Sequence, residues 1–340
     1  MTFSTKESLC INRANSLLML LIVLMHCVVS NDVPYAELFY VCIFRTFTRV
    51  AVPVFFLMSG YLLLNNYSTS KIRKRVDTVL IPYILWSLLS VGFFLLMSKM
   101  PVVSNYINAD IKFSVIDILR RTLISPINGA LWFLRDLFLL ICLSPIINKY
   151  LRNNLFFYAL ICVIFVIWLT DGNYTFFVES SLFFLIGAKL AIKEARIFKS
   201  ANPSFANHLF VILYVVLCVA LSALCVNYKV DEWIITKVCI ILGFFVVLHL
   251  KNILVQDSII GFILDKFKKY SFFVYGSHLI VAQIIKKLYA KILPPQNNIL
   301  YLLFEYIIVV LATIFLCIVI QWILNRFCPK IVLILTGNRN

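Results

Sequence analysis

The stretch LYLLFEYIIVVLATIFLCIVIQWIL, residues Leu300–Leu324, decides the fold class. It is apolar nearly throughout, has no polar face and carries one charged residue, Glu305. A helix needs about 20 apolar residues to cross a bilayer. The stretches Ile81–Leu96, Leu155–Leu169 and Leu209–Val226 have the same character. Because a helix that is apolar on all sides must be surrounded by lipid or other helices, the sequence predicts an all-α integral membrane protein.

The composition of the whole chain excludes an ordinary soluble protein. Of its 340 residues, 62% are hydrophobic, 14% are charged and 30 are Phe. A soluble domain carries roughly 25% charged residues. A large soluble all-α core would also need polar faces on most of its helices, and these are missing here.

Breaks in the apolar pattern predict about ten transmembrane helices in a single membrane domain, residues 1–340. We find no linker rich in Pro, Gly or Ser and no internal repeat that would divide the chain. The longest loop, about 99–130, is expected to hold a short amphipathic helix around Ile111–Leu123. The predicted spans are about 16–31, 44–65, 78–98, 131–147, 155–170, 175–192, 208–226, 234–250, 271–290 and 299–324.

The net charge of +16 is explained by membrane topology rather than by nucleic-acid binding. Most Lys and Arg residues sit just outside the apolar runs, where the positive-inside rule places them on the cytoplasmic side. With an even number of spans, both termini are predicted to be cytoplasmic. The first apolar run follows Lys6 and Arg13 and lacks a small-residue cleavage site, so we expect it to be retained as a helix.

The ten cysteines are scattered, mostly within apolar runs, and show no CxxC spacing. Cysteine in such surroundings behaves as a small apolar packing residue. The sequence therefore predicts neither a metal site nor a disulfide framework.

Ionisable residues inside a membrane are costly and are candidates for function. His26 lies about ten residues into the first span, about 15 Å deep. A neutral imidazole there suits a general base acting on a hydroxyl, and a histidine bonded to a neighbouring helix is the alternative. At about 100° per residue, Asn15 and Asn12 lie within about 40° of His26, which predicts a polar stripe. Arg13 falls about 140° away, on another face.

A second histidine, His278, is expected about eight residues from the cytoplasmic end of the ninth span, in the segment Tyr-Gly-Ser-His-Leu. A structural role is the alternative interpretation. His208 and His249 lie at the ends of predicted spans and need no functional explanation.

A basic run, Lys71, Arg73, Lys74 and Arg75, connects the second and third spans. It is explained either as an ordinary positive-inside anchor or as a polyphosphate clamp, since arginines match phosphate oxygens geometrically. A cytoplasmic cofactor that carries phosphate, such as a coenzyme A thioester, would meet it there.

The segment Arg49–Tyr61 combines Pro53 with Ser59 and Gly60. Proline in a membrane helix frees a backbone carbonyl and favours a kink. Small residues such as Ser and Gly allow two helices to approach closely. The segment predicts helix packing, with a functional site as the alternative.

Arg45 and Arg49 are spaced i and i+4 and therefore share a helix face. They are expected either to anchor the second span at the outer interface or to neutralise a buried carboxylate. Glu179 and Glu305 are the carboxylates expected near that depth, and we predict that each pairs with Arg45, Arg49 or Arg135. Asp136 follows Arg135 directly, so we expect these two side chains to point apart.

A series of short motifs follows in order along the chain. Each is weak alone, but their order and spacing together are fairly specific. They are Leu21–His26, Val52–Leu62, Arg73–Arg75, Ile81–Trp86, Leu131–Arg135, Phe183–Gly187 and Tyr275–His278. Almost end to end, this pattern resembles the integral-membrane acyltransferase family, usually numbered three, that O-acylates bacterial surface polysaccharides.

The resemblance implies ten or so spans in a bacterial cytoplasmic (inner) membrane and an acyl-CoA donor, usually acetyl-CoA, approached from the cytoplasm. It implies that His26 is the catalytic centre and that Arg73 and Arg75 bind the donor. From the basic run itself, we expect Lys71 and Lys74 to assist them. The family's commonest pattern has an arginine where this chain has Asn15. Asn15 keeps the facing geometry without the charge. This indicates either a divergent branch of the family or that another basic residue, such as Arg75, takes over the role.

The expected function is transfer of an acetyl group from acetyl-CoA to a sugar hydroxyl of a surface polysaccharide such as O-antigen or of its lipid-linked precursor. His26 would be the general base or an acetyl relay, and His278 would stabilise the thioester carbonyl or orient the acceptor. The expected partners are the bilayer, the glycan and a second copy of the chain, without nucleic acid or metal. Further polar residues with a substrate-binding or structural role are Arg49, Ser59, Trp132, Arg135, Glu179 and Glu305.

Three alternatives remain open at this point. A glycan or solute transporter would also use intramembrane His and Glu, although no inverted-repeat symmetry is detectable in the sequence. An acyltransferase could carry another acyl group, such as succinyl, or act on a small-molecule acceptor.

Overall fold

The computed structural model describes residues 2–28, 34–98, 114–172, 176–199, 204–293, 296 and 298–339, and helix is the only regular secondary structure among them. A π-helical turn covers Val41–Phe47 and another covers Val76–Leu80, and a 3₁₀ turn covers Gly129–Leu131. The α-helices are α1 (Thr5–Cys27), α2 (Pro34–Tyr40), α3 (Ala51–Leu64), α4 (Thr69–Arg75), α5 (Ile81–Ser98), α6 (Val115–Leu123), α7 (Trp132–Tyr150), α8 (Asn154–Thr170), α9 (Phe176–Ile192), α10 (Phe205–Tyr228), α11 (Glu232–Leu254), α12 (Ile259–Phe267), α13 (Ser271–Ile292), α14 (Ile299–Phe327) and α15 (Pro329–Leu335).

Seven helical segments among the described residues are long and apolar enough to cross a membrane. The other three predicted spans correspond to α8 and α9, of 17 residues each, and to α13, which carries lysines near its end. A count of about ten spans, the cytoplasmic position of both termini and the single domain stay predictions. The seven segments are Thr5–Cys27, Tyr35–Leu64, Ile72–Met97, Gly129–Tyr150, Phe205–Tyr228, Glu232–Leu254 and Ile299–Phe327.

The predicted amphipathic helix around Ile111–Leu123 is present as α6, although residues 99–113 lie outside the described part. Ser114 and Asp117 form a capping box that starts the helix, because each side chain bonds a backbone N–H of the other. Apolar side chains such as Ile116 and Leu119 are exposed on one face. A short helix of this kind suits the membrane surface.

Helix α1 lies at the centre of the bundle, in contact with α3, α11, α12, α13 and α14. Its side chains Ile22, Val23 and Cys27 are buried in the main hydrophobic cluster. Helices at the periphery expose large apolar residues, such as Leu155 in α8 and Phe205 in α10, both 81% exposed. Only lipid makes such an outer surface favourable.

The closest helix contact joins α3 to α9 through two glycines. A Cβ atom added to Gly60 would lie 2.1 Å from the carbonyl oxygen of Phe184, and one added to Gly187 would lie 1.9 Å from that of Leu57. The two backbones therefore touch directly, as the Ser-Gly pair in α3 predicts.

We expect Gly187→Ala to destabilise the protein by about 1–3 kcal/mol, because the added methyl group forces the two backbones apart. Gly92→Ala in α5 is the matched control, since a Cβ there meets nothing within 4 Å. Thermal unfolding in detergent measures both variants. Equal melting temperatures would contradict the close contact.

Pro53 lies in the first turn of α3, where the N–H that proline lacks would have had no helical partner. The irregularity of the predicted second span lies just before it, in the π-helical turn and residues 48–50. There the hydroxyls of Thr46 and Thr48 donate to the carbonyls of Cys42 and Ile43. The helix axis is therefore interrupted next to Arg49 rather than kinked at Pro53.

All ten cysteines are free, and six of them are buried. Cys218, Cys225 and Cys239 form a second hydrophobic cluster with Tyr214 where α10 and α11 pack on the Val41–Phe47 turn. They pack as small apolar residues, as expected from their scatter.

Candidate active site

Two histidines from distant parts of the chain lie side by side in the bundle. His26, in the last turn of α1, and His278, in α13, have ring centroids 5.3 Å apart. His278 is fully buried, at 0% exposure, and His26 is half-buried. The ring of Phe44 meets His26 edge-on, with centroids 6.0 Å apart. The structure thus brings together the two predicted catalytic histidines.

The hydrogen bonds of His278 fix its neutral tautomer. Its Nδ1 atom lies 2.8 Å from the carbonyl oxygen of Tyr275 and 3.1 Å from that of Val274. Carbonyls only accept, so Nδ1 carries the proton and Nε2 holds a lone pair. Nε2 is buried and has no hydrogen-bond partner within the described part of the chain. It is therefore available to a donor, such as a substrate hydroxyl or a protonated His26.

Side chains and backbone from two other parts of the chain pack on the turn of α13 that carries His278. The Tyr275 hydroxyl donates to a carbonyl of the 3₁₀ turn before α7, and Asn128 donates to the Gly276 carbonyl at 3.0 Å. A Cβ atom on Gly276 would lie 2.1 Å from the Trp86 indole. Glycine is required there, because Trp86 packs directly against the helix backbone.

Lys286 holds the end of α1 on the other side of the histidine pair. Its Nζ donates to the carbonyl oxygens of His26 and Val28, each at 2.6 Å. The last carbonyls of a helix lack partners within the helix, and a cation there is favourable. Sequence reasoning missed this residue and Asn128. The available signal for Lys286 was its place in the same helix as His278.

A cavity of about 290 Å³ ends near the histidine pair, on the side away from Lys286. At its inner end are Ile22 and Tyr275, one helical turn before His26 and His278, or about 6 Å or less along each axis. The opposite end of the cavity is its mouth, lined by Asn15, Arg75, Ser271 and Arg339. Ser59 lines the wall between the two ends, since Phe55 and Leu63 of α3 line the cavity one helical turn to either side of it.

The predicted polar stripe along α1 is interrupted. Asn15 lines the cavity as its angle relative to His26 predicts, but Asn12 does not. Met19 and Ile22 occupy the same face between Asn15 and His26, so the inner wall is apolar. The cavity therefore suits a slender ligand with apolar groups rather than a chain of water molecules.

Arg13 lies on a different face of α1, as predicted. Its guanidinium pairs with Asp265 of α12 at 2.7 Å and donates to the carbonyls of Leu254 and Gln256, each at 2.8 Å. The hydrogen bonds from the Arg13 guanidinium to the Asp265 carboxyl hold the pKa of that carboxyl below its usual range. Arg13 therefore joins α1 to the α11–α12 connection and does not reach the cavity.

The residues of the basic run Lys71–Arg75 do not all lie at the cavity. Arg75 is the last residue of α4 and lines the cavity. Arg73 and Lys74 are exposed and are not among the lining residues. The side chain of Lys71 lies outside the described part of the chain. The structure thus places Arg75, of the four predicted donor-binding residues in this run, at the cavity.

Arg49 and Glu179 form a buried ion pair, as predicted. Their charged atoms are 2.9 Å apart, and their side chains are 7% and 4% exposed. The Trp168 indole donates to the same carboxylate at 3.2 Å. Arg45 instead pairs with Glu232 at 2.6 Å in a partly exposed position.

Two predictions about charged partners are wrong. Arg135 and Asp136 do pair, at 2.7 Å. The Cβ atoms of Arg135 and Asp136 point in different directions, as for any two adjacent helical residues. The Arg135 side chain is nevertheless long enough to reach the Asp136 carboxylate. No ion pair joins Glu305 to an arginine among the described residues, because the three candidate arginines have other carboxylate partners. Glu305 is instead within electrostatic range of Lys286.

Of the other predicted polar residues, Trp132 packs between helices and Ser59 lines the cavity. The indole of Trp132 stacks on Phe176 at 4.4 Å and on Phe56 at 6.0 Å, so it packs α7 against α9 and α3. Ser59 lines the cavity wall.

Comparison with known proteins identifies the family of the chain. The sequence model of a family described as an acyltransferase domain, numbered three, matches residues 11–322, from α1 into α14. The match includes both histidines, Arg75 and most of the cavity wall. Searches of curated proteins and of solved structures returned no significant match. The chain belongs to the family-three acyltransferases and is a multi-pass membrane acyltransferase.

Proposed function

We propose that the protein transfers an acetyl group from acetyl-CoA, bound from the cytoplasmic side, to a sugar hydroxyl of a surface polysaccharide such as O-antigen or of its lipid-linked precursor. The observation that carries the proposal is the cavity, which begins at Arg75 and ends one helical turn from His26 and His278. The cavity leads from a guanidinium, which suits phosphate, to within one helical turn of a histidine that can act as a base.

The cavity fits the shape and chemistry of an acyl-CoA donor. Its volume of about 290 Å³ is near the lower end of small-molecule pockets, so it suits a narrow pantetheine arm better than a whole nucleotide. The apolar side chains of Met19 and Ile22 suit the methylene and methyl groups of that arm. The guanidinium of Arg75 suits the phosphates left at the mouth.

The two histidines supply what the transfer step needs. His26 takes the proton of the acceptor hydroxyl while its oxygen attacks the thioester carbonyl. The new C–O bond forms, the C–S bond breaks, and the CoA thiolate leaves with the proton from His26. His278 accepts a hydrogen bond at Nε2 and so orients either His26 or the acceptor. In this tautomer Nε2 holds a lone pair and does not donate to the thioester carbonyl.

The proposed orientation follows from the same residues. Arg75, Asn15 and Ser271 surround one mouth of the cavity and lie next to loops that the positive-inside rule assigns to the cytoplasm. This side would meet cytoplasmic acetyl-CoA in a bacterial inner membrane, with about ten spans and both termini cytoplasmic.

The function is tested by supplying membranes that contain the protein with radiolabelled acetyl-CoA and measuring label in the glycan fraction. NMR of surface glycans from cells with and without the gene identifies the modified hydroxyl. We expect gene-dependent O-acetyl signals. Label only from succinyl-CoA would indicate another acyl group, and solute movement without any acyl transfer would indicate a transporter.

We expect Arg75→Gln to raise the KM for acetyl-CoA about ten-fold, because a charge-assisted hydrogen bond is worth about 1.5–3 kcal/mol. Arg73→Gln removes the same charge from an exposed position on α4 and should have a smaller effect. Initial rates at varied acetyl-CoA measure both. A larger effect of Arg73→Gln would contradict the assignment of the cavity.

A further inference from the structure

The segment that follows α15 folds back onto the start of α5. Gly337 has a left-handed φ of +64°, and a Cβ there would lie 2.6 Å from the Thr78 carbonyl oxygen. The Asn338 N–H donates to the Leu333 carbonyl at 2.8 Å, which closes the end of α15. Residues 337–339 therefore have a defined position against the Val76–Leu80 turn.

Arg339 completes this contact. Its Nη2 donates to the Thr78 carbonyl at 2.9 Å. In a regular α-helix that carbonyl would receive the N–H of residue 82, but residue 82 is Pro82 and has none. The guanidinium also lies 4.0 Å from the centre of the Phe272 ring, on which it stacks. Thr78 and Phe272 thus fix the side chain from two sides.

The Arg339 side chain held in this way lies at the cavity mouth, beside Arg75. No Asp or Glu is among the described residues that line this cavity. Two arginines that face one cavity without a carboxylate repel each other, and a bound anion relieves that repulsion. Arginines suit phosphate in particular, because their N–H groups match its oxygens in pairs.

We propose that Arg339 and Arg75 together bind the phosphate groups of the acyl-CoA nucleotide at the cavity mouth. This inference rests on the proposed function for the identity of the donor. It assigns a binding residue outside the region matched by the family sequence model. It also supplies a second positive charge to a cavity whose α1 wall presents the neutral Asn15.

The test measures equilibrium binding of CoA and of pantetheine, which lacks the nucleotide and its phosphates, to the purified full-length protein. Arg339→Gln should weaken CoA binding about ten-fold or more and leave pantetheine binding unchanged. Arg339→Lys keeps the charge and should lose less. Arg326→Gln removes an exposed arginine near the end of α14 and should change neither affinity.

Unchanged CoA affinity in Arg339→Gln, an equal loss for CoA and pantetheine, or a parent protein that does not bind CoA would overturn the inference. Acyl transfer is measured separately. If CoA binding depends on Arg339 but no acyl group is transferred to any glycan, the phosphate site stands and the proposed function fails.

Discussion

Replacing His26 by Ala should lower the rate of acetyl transfer to glycan by about 10²–10⁴-fold, the usual contribution of a general base. The loss should appear in kcat, because His26 lies beyond the inner end of the cavity and does not line it. Binding of acetyl-CoA should therefore stay near that of the parent protein. Rates are compared at equal amounts of folded protein in membranes.

The matched control for this variant is His208→Ala. His208 is an exposed histidine at the start of α10, so its removal should leave transfer unchanged. Undiminished transfer by His26→Ala would remove His26 from the mechanism. A matching loss in His208→Ala would mean that the assay reports a general effect on the protein.

Arg49→Met should destabilise the protein by about 3–5 kcal/mol, because it leaves the buried carboxylate of Glu179 without its partner. Arg45→Met breaks a partly exposed pair with Glu232 and should cost about 0–1 kcal/mol. Thermal unfolding in detergent measures both. The double variant Arg49→Met, Glu179→Leu should recover much of the loss, since no unpaired charge remains.

Equal melting temperatures for the Arg49→Met and Arg45→Met variants would contradict the buried position of the Arg49–Glu179 pair. A double variant as unstable as Arg49→Met would show that packing around the pair, rather than its charge, holds α3 to α9.

Much of the fold could be predicted because a bilayer imposes strong local constraints. Long apolar runs predict the helices directly, and Gly60 in α3 predicted a close helix contact that the structure shows. The position of the helix interruption next to Arg49 could not be predicted from the sequence. It depends on the π-helical turn Val41–Phe47 and on hydrogen bonds from the Thr46 and Thr48 hydroxyls.

The site was predictable only in part, because its geometry depends on contacts between residues far apart in the chain. His26, His278 and Arg75 each carried a local signal, the depth of a histidine or a run of basic residues. That His26 and His278 are neighbours depends on the packing of α1 against α13. Lys286, Asn128 and Arg339 gave no comparable signal, since their positions follow from distant carbonyl partners.

The structure shows where Asn15 lies, at the position where the family's commonest pattern has an arginine. Asn15 lines the same cavity as Arg75, so the position that carries arginine in the family's commonest pattern faces the expected site. Arg13 is excluded as a substitute, because its side chain is bound to Asp265 and does not line the cavity. The positive charge of the cavity comes instead from α4 and from the segment after α15.

The central claim is that the cavity opens to the cytoplasm and holds the donor. Ser59→Cys, compared with the parent protein, tests it by reaction with a small charged methanethiosulfonate reagent in oriented vesicles. Ser59 lines the cavity wall, so we expect its cysteine to react with reagent that enters from the cytoplasmic side and to be protected by acetyl-CoA. Reaction from the opposite side only, or reaction that saturating acetyl-CoA leaves unchanged, would contradict the claim.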